Sequence, residues 1–61
     1  MILRVFRQVG DRLSVAEAYR RLTSLCAKDP YANKKAAGSL GGAVNGGTIF
    51  LDDRGDYERI R

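Results

Sequence analysis

The sequence contains no histidine and only one cysteine, Cys26. Without histidine there is no His-based metal site, catalytic triad or neutral-pH proton switch. A single thiol excludes an internal disulfide and a zinc cluster within one chain, and Cys26 has no histidine base to activate it as a nucleophile. We therefore expect a protein of the reducing cytoplasm that is not an enzyme and has no catalytic residues, no cofactor and no bound metal.

Long hydrophobic runs are also missing. The apolar N-terminal stretch MILRVFRQV is interrupted by Arg4 and Arg7, so it is too short and too charged for a signal sequence or a membrane span. No membrane partner is expected. A chain of 61 residues predicts a single domain, residues 1–61, with a small core. A homodimer is a further expectation, because dimerisation would add buried area.

Basic residues outnumber acidic ones. Eleven Lys and Arg against seven Asp and Glu leave a net charge of +4. This balance favours an anionic partner, either nucleic acid or an acidic protein surface. A charged surface that only keeps the protein soluble would produce the same composition, so the charge alone leaves these alternatives open.

The stretch SVAEAYRRLTSLCAKD has the pattern of an amphipathic helix. Ser14 stands at the N-cap and Glu17, three residues later, completes a capping box. Residues at helical spacing form one apolar face: Val15, Ala18, Leu22, Leu25 and Cys26. On the other side Glu17 can pair with Arg21, and the Asp29-Pro30 dipeptide predicts the end of the helix.

The remaining segments are predicted to be strands, turns and loop. Residues 2–9 alternate in polarity and predict a first strand, which a turn at Gly10-Asp11 ends. Residues 31–35 are predicted as loop. Residues 37–44 are predicted as a strand, because three glycines in this stretch disfavour a helix by about 1 kcal/mol each relative to alanine.

Two turn signals flank the short apolar stretch TIFL. Asn45-Gly46 is typical of a type I′ hairpin turn. The DDRG stretch predicts a second turn that ends in a left-handed Gly55, and turn formation explains its aspartates better than a cation site does. With DYERI as a return strand, the predicted fold class is α+β: one amphipathic helix packed on a small, mainly antiparallel sheet, in the order β-α-β-β-β.

Basic side chains are the candidate binding residues. The predicted set for a partner or nucleic acid is Arg4, Arg20, Arg21, Lys28, Lys34, Lys35, Arg59 and Arg61. Arginines interleaved with Phe6, Phe50 and Tyr57 on an open sheet face would form a platform for single-stranded nucleic acid, with the rings stacking on bases. The alternative is that these rings belong to the core or to a dimer contact.

Two stretches resemble parts of helix-turn-helix proteins. LSVAEAYRRL resembles the first helix of excisionase-type DNA-binding domains. GGTIFLDDRGDYERIR resembles a wing and is similar to the terminal hairpin of small phage Cro repressors. The resemblance implies a recognition helix within residues 31–44 that reads the major groove, in the same segment whose glycines favour a strand.

A further resemblance lies in the predicted topology. The SVAEAYRRL helix followed by tight VNG and DRG turns resembles some small phage-encoded anti-CRISPR proteins. That resemblance implies a non-enzymatic protein that occupies a surface on a defence complex. Two functions are therefore expected. One is a phage-type or mobile-element-type inhibitor or regulator that docks on a protein or nucleoprotein assembly with an acidic or nucleic-acid-binding surface. The other is direct nucleic-acid binding.

Overall fold

Three helices and a three-stranded antiparallel sheet make up the chain, which a computed structural model describes from Met1 to Arg61. The elements are α1 (Ile2–Val5), β1 (Arg12–Ser14), α2 (Val15–Leu25), α3 (Ala32–Asn45), β2 (Ile49–Leu51) and β3 (Asp56–Arg59). The predicted α+β class with an antiparallel sheet is confirmed. The order along the chain is α-β-α-α-β-β, however, so two of the four predicted strands are replaced by helices.

Helix α2 forms where the sequence predicts it. The Ser14 hydroxyl accepts a hydrogen bond from the Glu17 backbone N–H at 3.1 Å, which satisfies one of the free donors at the helix start. Ala18 and Leu22 are fully buried on its inner face. The helix ends at Leu25, before the predicted end at Asp29.

The prediction of loop and strand for residues 31–44 is wrong, because this segment forms α3. Ala36 and Leu40 are four residues apart and both are buried, so one side of the helix packs into the core. The Asp29 carboxylate orders the start of α3: it accepts a hydrogen bond from the Tyr31 backbone N–H at 2.8 Å and pairs with the Lys35 ammonium group. Packing therefore outweighs the low helix propensity of the glycines.

The predicted hairpin turn at Asn45-Gly46 is the C-terminal end of α3. The Gly46 N–H donates to the Gly42 carbonyl and the Thr48 N–H donates to the Ala43 carbonyl, each at 2.9 Å. The left-handed residue is Gly47, with φ +77°. The predicted type I′ turn is therefore wrong: it requires positive φ at both Asn45 and Gly46, whereas Gly46 has φ -79° and only the following glycine is left-handed.

The N-terminal segment is also different from its prediction as a strand. Residues Ile2–Val5 form the short helix α1, which brings Val5 and the following Phe6 into the core. Leu3 points outward and is 60% exposed. The first strand of the chain is instead β1, at Arg12–Ser14, which the sequence did not predict.

The sheet has the order β1-β3-β2, so β3 is its central strand. Tyr57 lies opposite Leu13 of β1 and Leu51 of β2, while Glu58 lies opposite Arg12 and Phe50. Because side chains alternate between the two faces of a strand, the first row faces the helices and the second row faces outward.

Eight buried side chains form the core: Val5, Phe6, Ala18, Leu22, Ala36, Leu40, Ile49 and Tyr57. Every helix segment contributes two of them, and the β2–β3 hairpin contributes the other two. Strand β1 contributes none of the eight, and its partly buried Leu13 packs against them. None of the three helices combines the length and the apolar content that crossing a bilayer requires.

Candidate nucleic-acid interface

The predicted basic residues do not converge on one face. Arg4, Arg20 and Arg21 meet at a depression of about 370 Å³ between α1 and α2, together with Ser24. Lys28 and Lys35 line a wider and shallower depression of about 890 Å³ at the α2–α3 connection. Lys34 is exposed in the first turn of α3, and Arg59 and Arg61 lie near the end of the chain.

Glu17 organises the two arginines of α2. Arg20 donates to both carboxylate oxygens, from Nε to Oε2 at 2.9 Å and from Nη2 to Oε1 at 2.7 Å. Arg21 Nε donates to Oε1 at 2.9 Å, which confirms the predicted i,i+4 pair. The hydrogen bonds from Arg20 and then Arg21 lower the pKa of Glu17 to about 2. Arg4 has no acidic partner.

The two lysines at the start of α3 have different surroundings. Lys35 is paired with Asp29, and this contact raises the pKa of Lys35 and lowers the pKa of Asp29. Lys34 makes no ion pair and points into solvent. Lys34 is therefore free to contact an anion, whereas Lys35 helps to hold the beginning of α3.

Arg59 and Arg61 lie against the body of the protein. Arg59 donates from Nη1 to the Phe6 carbonyl at 3.1 Å and from Nε to the Arg61 carbonyl at 2.7 Å. The Arg61 guanidinium group lies over the turn after α3, where a Cβ added to Gly47 would be 3.4 Å from Cζ. Arg59 therefore links the C-terminal segment to the N-terminal one, and Arg61 links it to the turn after α3.

The predicted platform for single-stranded nucleic acid is not formed. Phe6 is 0% exposed and Tyr57 is 9% exposed, so neither ring can stack on a base. Phe50 alone is exposed on the outer face of the sheet. Its row contains the ion pair between Arg12 and Glu58 at 2.6 Å, and this contact raises the pKa of Arg12. The alternative that the rings serve the core is confirmed for two of the three.

The turn between β2 and β3 presents a residue that the sequence-based set omits, Arg54. Asp52 Oδ1 accepts hydrogen bonds from the backbone N–H groups of Arg54 and Asp56, each at 2.9 Å. These bonds, that of Asp56 foremost, lower the pKa of Asp52. Gly55 has φ +86°, as predicted. Arg54 is therefore held at the tip of the hairpin, and the DDRG turn signal could have identified it.

The outer face of α3 is smooth. Four of its nine exposed positions are glycine or alanine, and the nine are Asn33, Lys34, Lys35, Ala37, Gly38, Gly41, Gly42, Val44 and Asn45. A Cβ added at Gly38, Gly41 or Gly42 would meet no atom within 4 Å. These glycines therefore have no packing role inside the chain, and they leave the helix backbone accessible from outside.

Comparisons with protein-family models, with curated proteins and with solved structures give no match.

Proposed function

We propose that the protein binds double-stranded DNA in the cytoplasm through α3 and the β2–β3 hairpin, without catalysing a reaction. The observation that carries this proposal is the helical state of residues 32–45 next to α2, followed directly by a hairpin. This element order is that of a helix-turn-helix with a wing, in which the second helix lies in the major groove. The exposed outer face of α3 supports the proposal.

Each of the two proposed DNA-binding elements carries a cationic side chain without an ion pair. Lys34 projects from the first turn of α3, and Arg54 projects from the hairpin tip. Neither side chain is engaged by a carboxylate of this chain, so both can neutralise phosphates or enter a groove. The net charge of +4 adds long-range attraction to DNA.

The smooth face of α3 limits how well base sequence can be read. Base edges are recognised by polar side chains, and with Lys34 assigned to a phosphate this face offers only Asn33 and Asn45. Each bidentate base contact is worth about 1–3 kcal/mol. Affinity should therefore come mostly from phosphates, and each base contact that differs between two duplexes should change the affinity by about 5- to 150-fold.

The experiment is a fluorescence-anisotropy titration of short mixed-sequence duplexes over a series of salt concentrations. We expect log K to fall linearly with log salt. The magnitude of this negative slope should be smaller by about 0.9 in Lys34→Gln and by about 0.9 in Arg54→Gln, because each variant loses one phosphate contact. Arg7→Gln is the matched control. Arg7 is exposed and unpaired, and it lies outside α3 and the hairpin.

Two results would contradict this function. The first is the absence of any complex at micromolar protein and low salt. The second is a complex whose slope changes equally in Lys34→Gln, Arg54→Gln and Arg7→Gln, because net charge alone would then govern binding.

Docking on a larger protein or nucleoprotein assembly, as an inhibitor or regulator, is a second candidate function. It is favoured by large apolar side chains that lie outside α3 and more than half exposed, such as Leu3 and Val9. Affinity capture that recovers a stoichiometric protein partner, lost on Leu3→Asp, is the expected result for this function. Light scattering in the same buffer tests the predicted homodimer.

A further inference from the structure

We infer that the depression formed by Arg4, Arg20 and Arg21 is a second phosphate-binding surface for DNA, separate from α3 and the hairpin. This inference rests on the proposed DNA binding and adds to it, since none of the residues involved belongs to α3 or to the hairpin. It assigns α1 and α2 to the footprint of the protein on the DNA backbone.

The charges at the depression are only partly balanced. Three guanidinium groups surround it, and Glu17 is their only carboxylate neighbour. Glu17 occupies the Nε and Nη2 donors of Arg20 and the Nε donor of Arg21. The remaining donors of Arg21 and all donors of Arg4 have no protein acceptor, so two guanidinium groups are available to an incoming anion.

Phosphate of a nucleic-acid strand is the anion that fits these donors best. A guanidinium group presents a planar fork that matches two oxygens of one phosphate. A DNA strand supplies successive phosphates, so Arg4 and Arg21 can each bind one. Glu17 holds Arg20 and Arg21 side by side in advance, which reduces the side-chain entropy lost on binding.

Salt dependence of DNA binding measures this contact directly. The slope of log K against log salt is negative, and we expect its magnitude to be smaller by about 0.9 in Arg4→Gln. In the double variant Arg4→Gln with Arg21→Gln, the magnitude should be smaller by about 1.8. Between about 50 and about 200 mM salt, the affinity advantage of the wild type over Arg4→Gln should then shrink by about 3.5-fold. Arg7→Gln again serves as the control, because it removes the same charge from the same segment.

Glu17→Gln gives an independent test in the opposite direction. The substitution keeps the backbone N–H that Ser14 caps, but it releases Arg20 and Arg21. We expect tighter DNA binding at low salt and a slope steeper by about 0.9. The backbone amide signals of the wild type in NMR spectra should be retained in all four variants, since every substituted side chain is exposed or at the surface.

Four outcomes would overturn the inference. If Arg4→Gln and Arg7→Gln have the same slope as each other, only net charge matters. If a glutamate-rich peptide binds the wild type but not Arg4→Gln while the DNA slope is unchanged, the surface recognises an acidic protein. If DNA does not bind at all, both the inference and the proposed function fail. If the magnitude of the slope is smaller in Lys34→Gln and Arg54→Gln but unchanged in Arg4→Gln, the inference is wrong and the proposed function still holds.

Discussion

Helices α2 and α3 pack against each other in the same core, yet they are stabilised in different ways. Helix α2 has a side-chain N-cap at Ser14 and surface ion pairs from Glu17 to Arg20 and Arg21. Helix α3 has no side-chain N-cap bond and carries three exposed glycines, and its only ion pair is that of Lys35 with Asp29 at its start. Local interactions therefore favour α2 before it packs, whereas α3 depends on the buried Ala36 and Leu40. A helix that local sequence does not favour can still form when tertiary contacts require it.

The largest effect on this comparison is expected for Leu40→Ala. Leu40 is 1% exposed and is the only large buried side chain of α3, so its truncation should lower the free energy of unfolding by about 2–5 kcal/mol. In a chain of this size that loss approaches the total stability. Chemical denaturation measures the change, and amide hydrogen exchange should show α3 losing protection before α2.

Leu3→Ala is the control for that prediction. It removes the same atoms from a side chain that is 60% exposed, so its effect should be much smaller. If α2 and α3 exchange at the same rate in Leu40→Ala, the difference in local stability between the two helices is not real.

A smaller effect of opposite sign is expected for Gly41→Ala. No atom lies within 4 Å of the added Cβ, so the variant should raise the free energy of unfolding by about 0.4–1 kcal/mol through better helix propensity. Gly55→Ala should lower the free energy of unfolding by about 1–2 kcal/mol, because φ +86° is unfavourable for alanine. Thermal melts of both variants check the pair. A destabilised Gly41→Ala would mean that α3 does not have this helical geometry.

The smallest expected effect is on the pH dependence of stability, through Glu17 of α2. The pKa of Glu17 is about 2 in the folded protein against an ordinary value of 4.5. Because the folded value is the lower one, ionised Glu17 stabilises the fold above about pH 4.5, and this contribution is lost as the pH falls towards 2. The melting temperature should fall across that window, and less steeply in Glu17→Gln. A Glu17→Gln curve that falls as steeply as the wild-type curve between about pH 4.5 and pH 2 would contradict the role of Glu17.

Sequence patterns predicted the elements whose signals are local. The Ser14 cap, the Glu17–Arg21 pair and the left-handed Gly55 are confirmed because each involves residues within four positions of one another. The sequence could not separate a helix end from a hairpin turn at residues 45–47, since both use glycine. It also predicted strands for residues 2–9 and 37–44, whereas Ile2–Val5 and Ala32–Asn45 are the helices that form there.

The candidate interface was predictable only in part. Basic residues mark the surface by composition, but their grouping depends on how the helices pack. Arg4 joins Arg20 and Arg21 because α1 lies against α2. Arg59 and Arg61 were predicted as binding residues, yet they contact backbone carbonyls of distant segments. Arg54 was missed, although the turn that displays it was recognised.

The sequence by itself determined the net positive charge, the absence of histidine, helix α2 and the DDRG turn, because these depend on composition or on contacts along a few residues. Only the tertiary structure decided that residues 32–45 are helical and that two aromatic rings are buried. It also decided which Lys and Arg side chains have no ion pair. The physical reason is that burial of Ala36, Leu40, Phe6 and Tyr57 requires partners from every part of the chain, and that apolar contact outweighs the preferences of single residues.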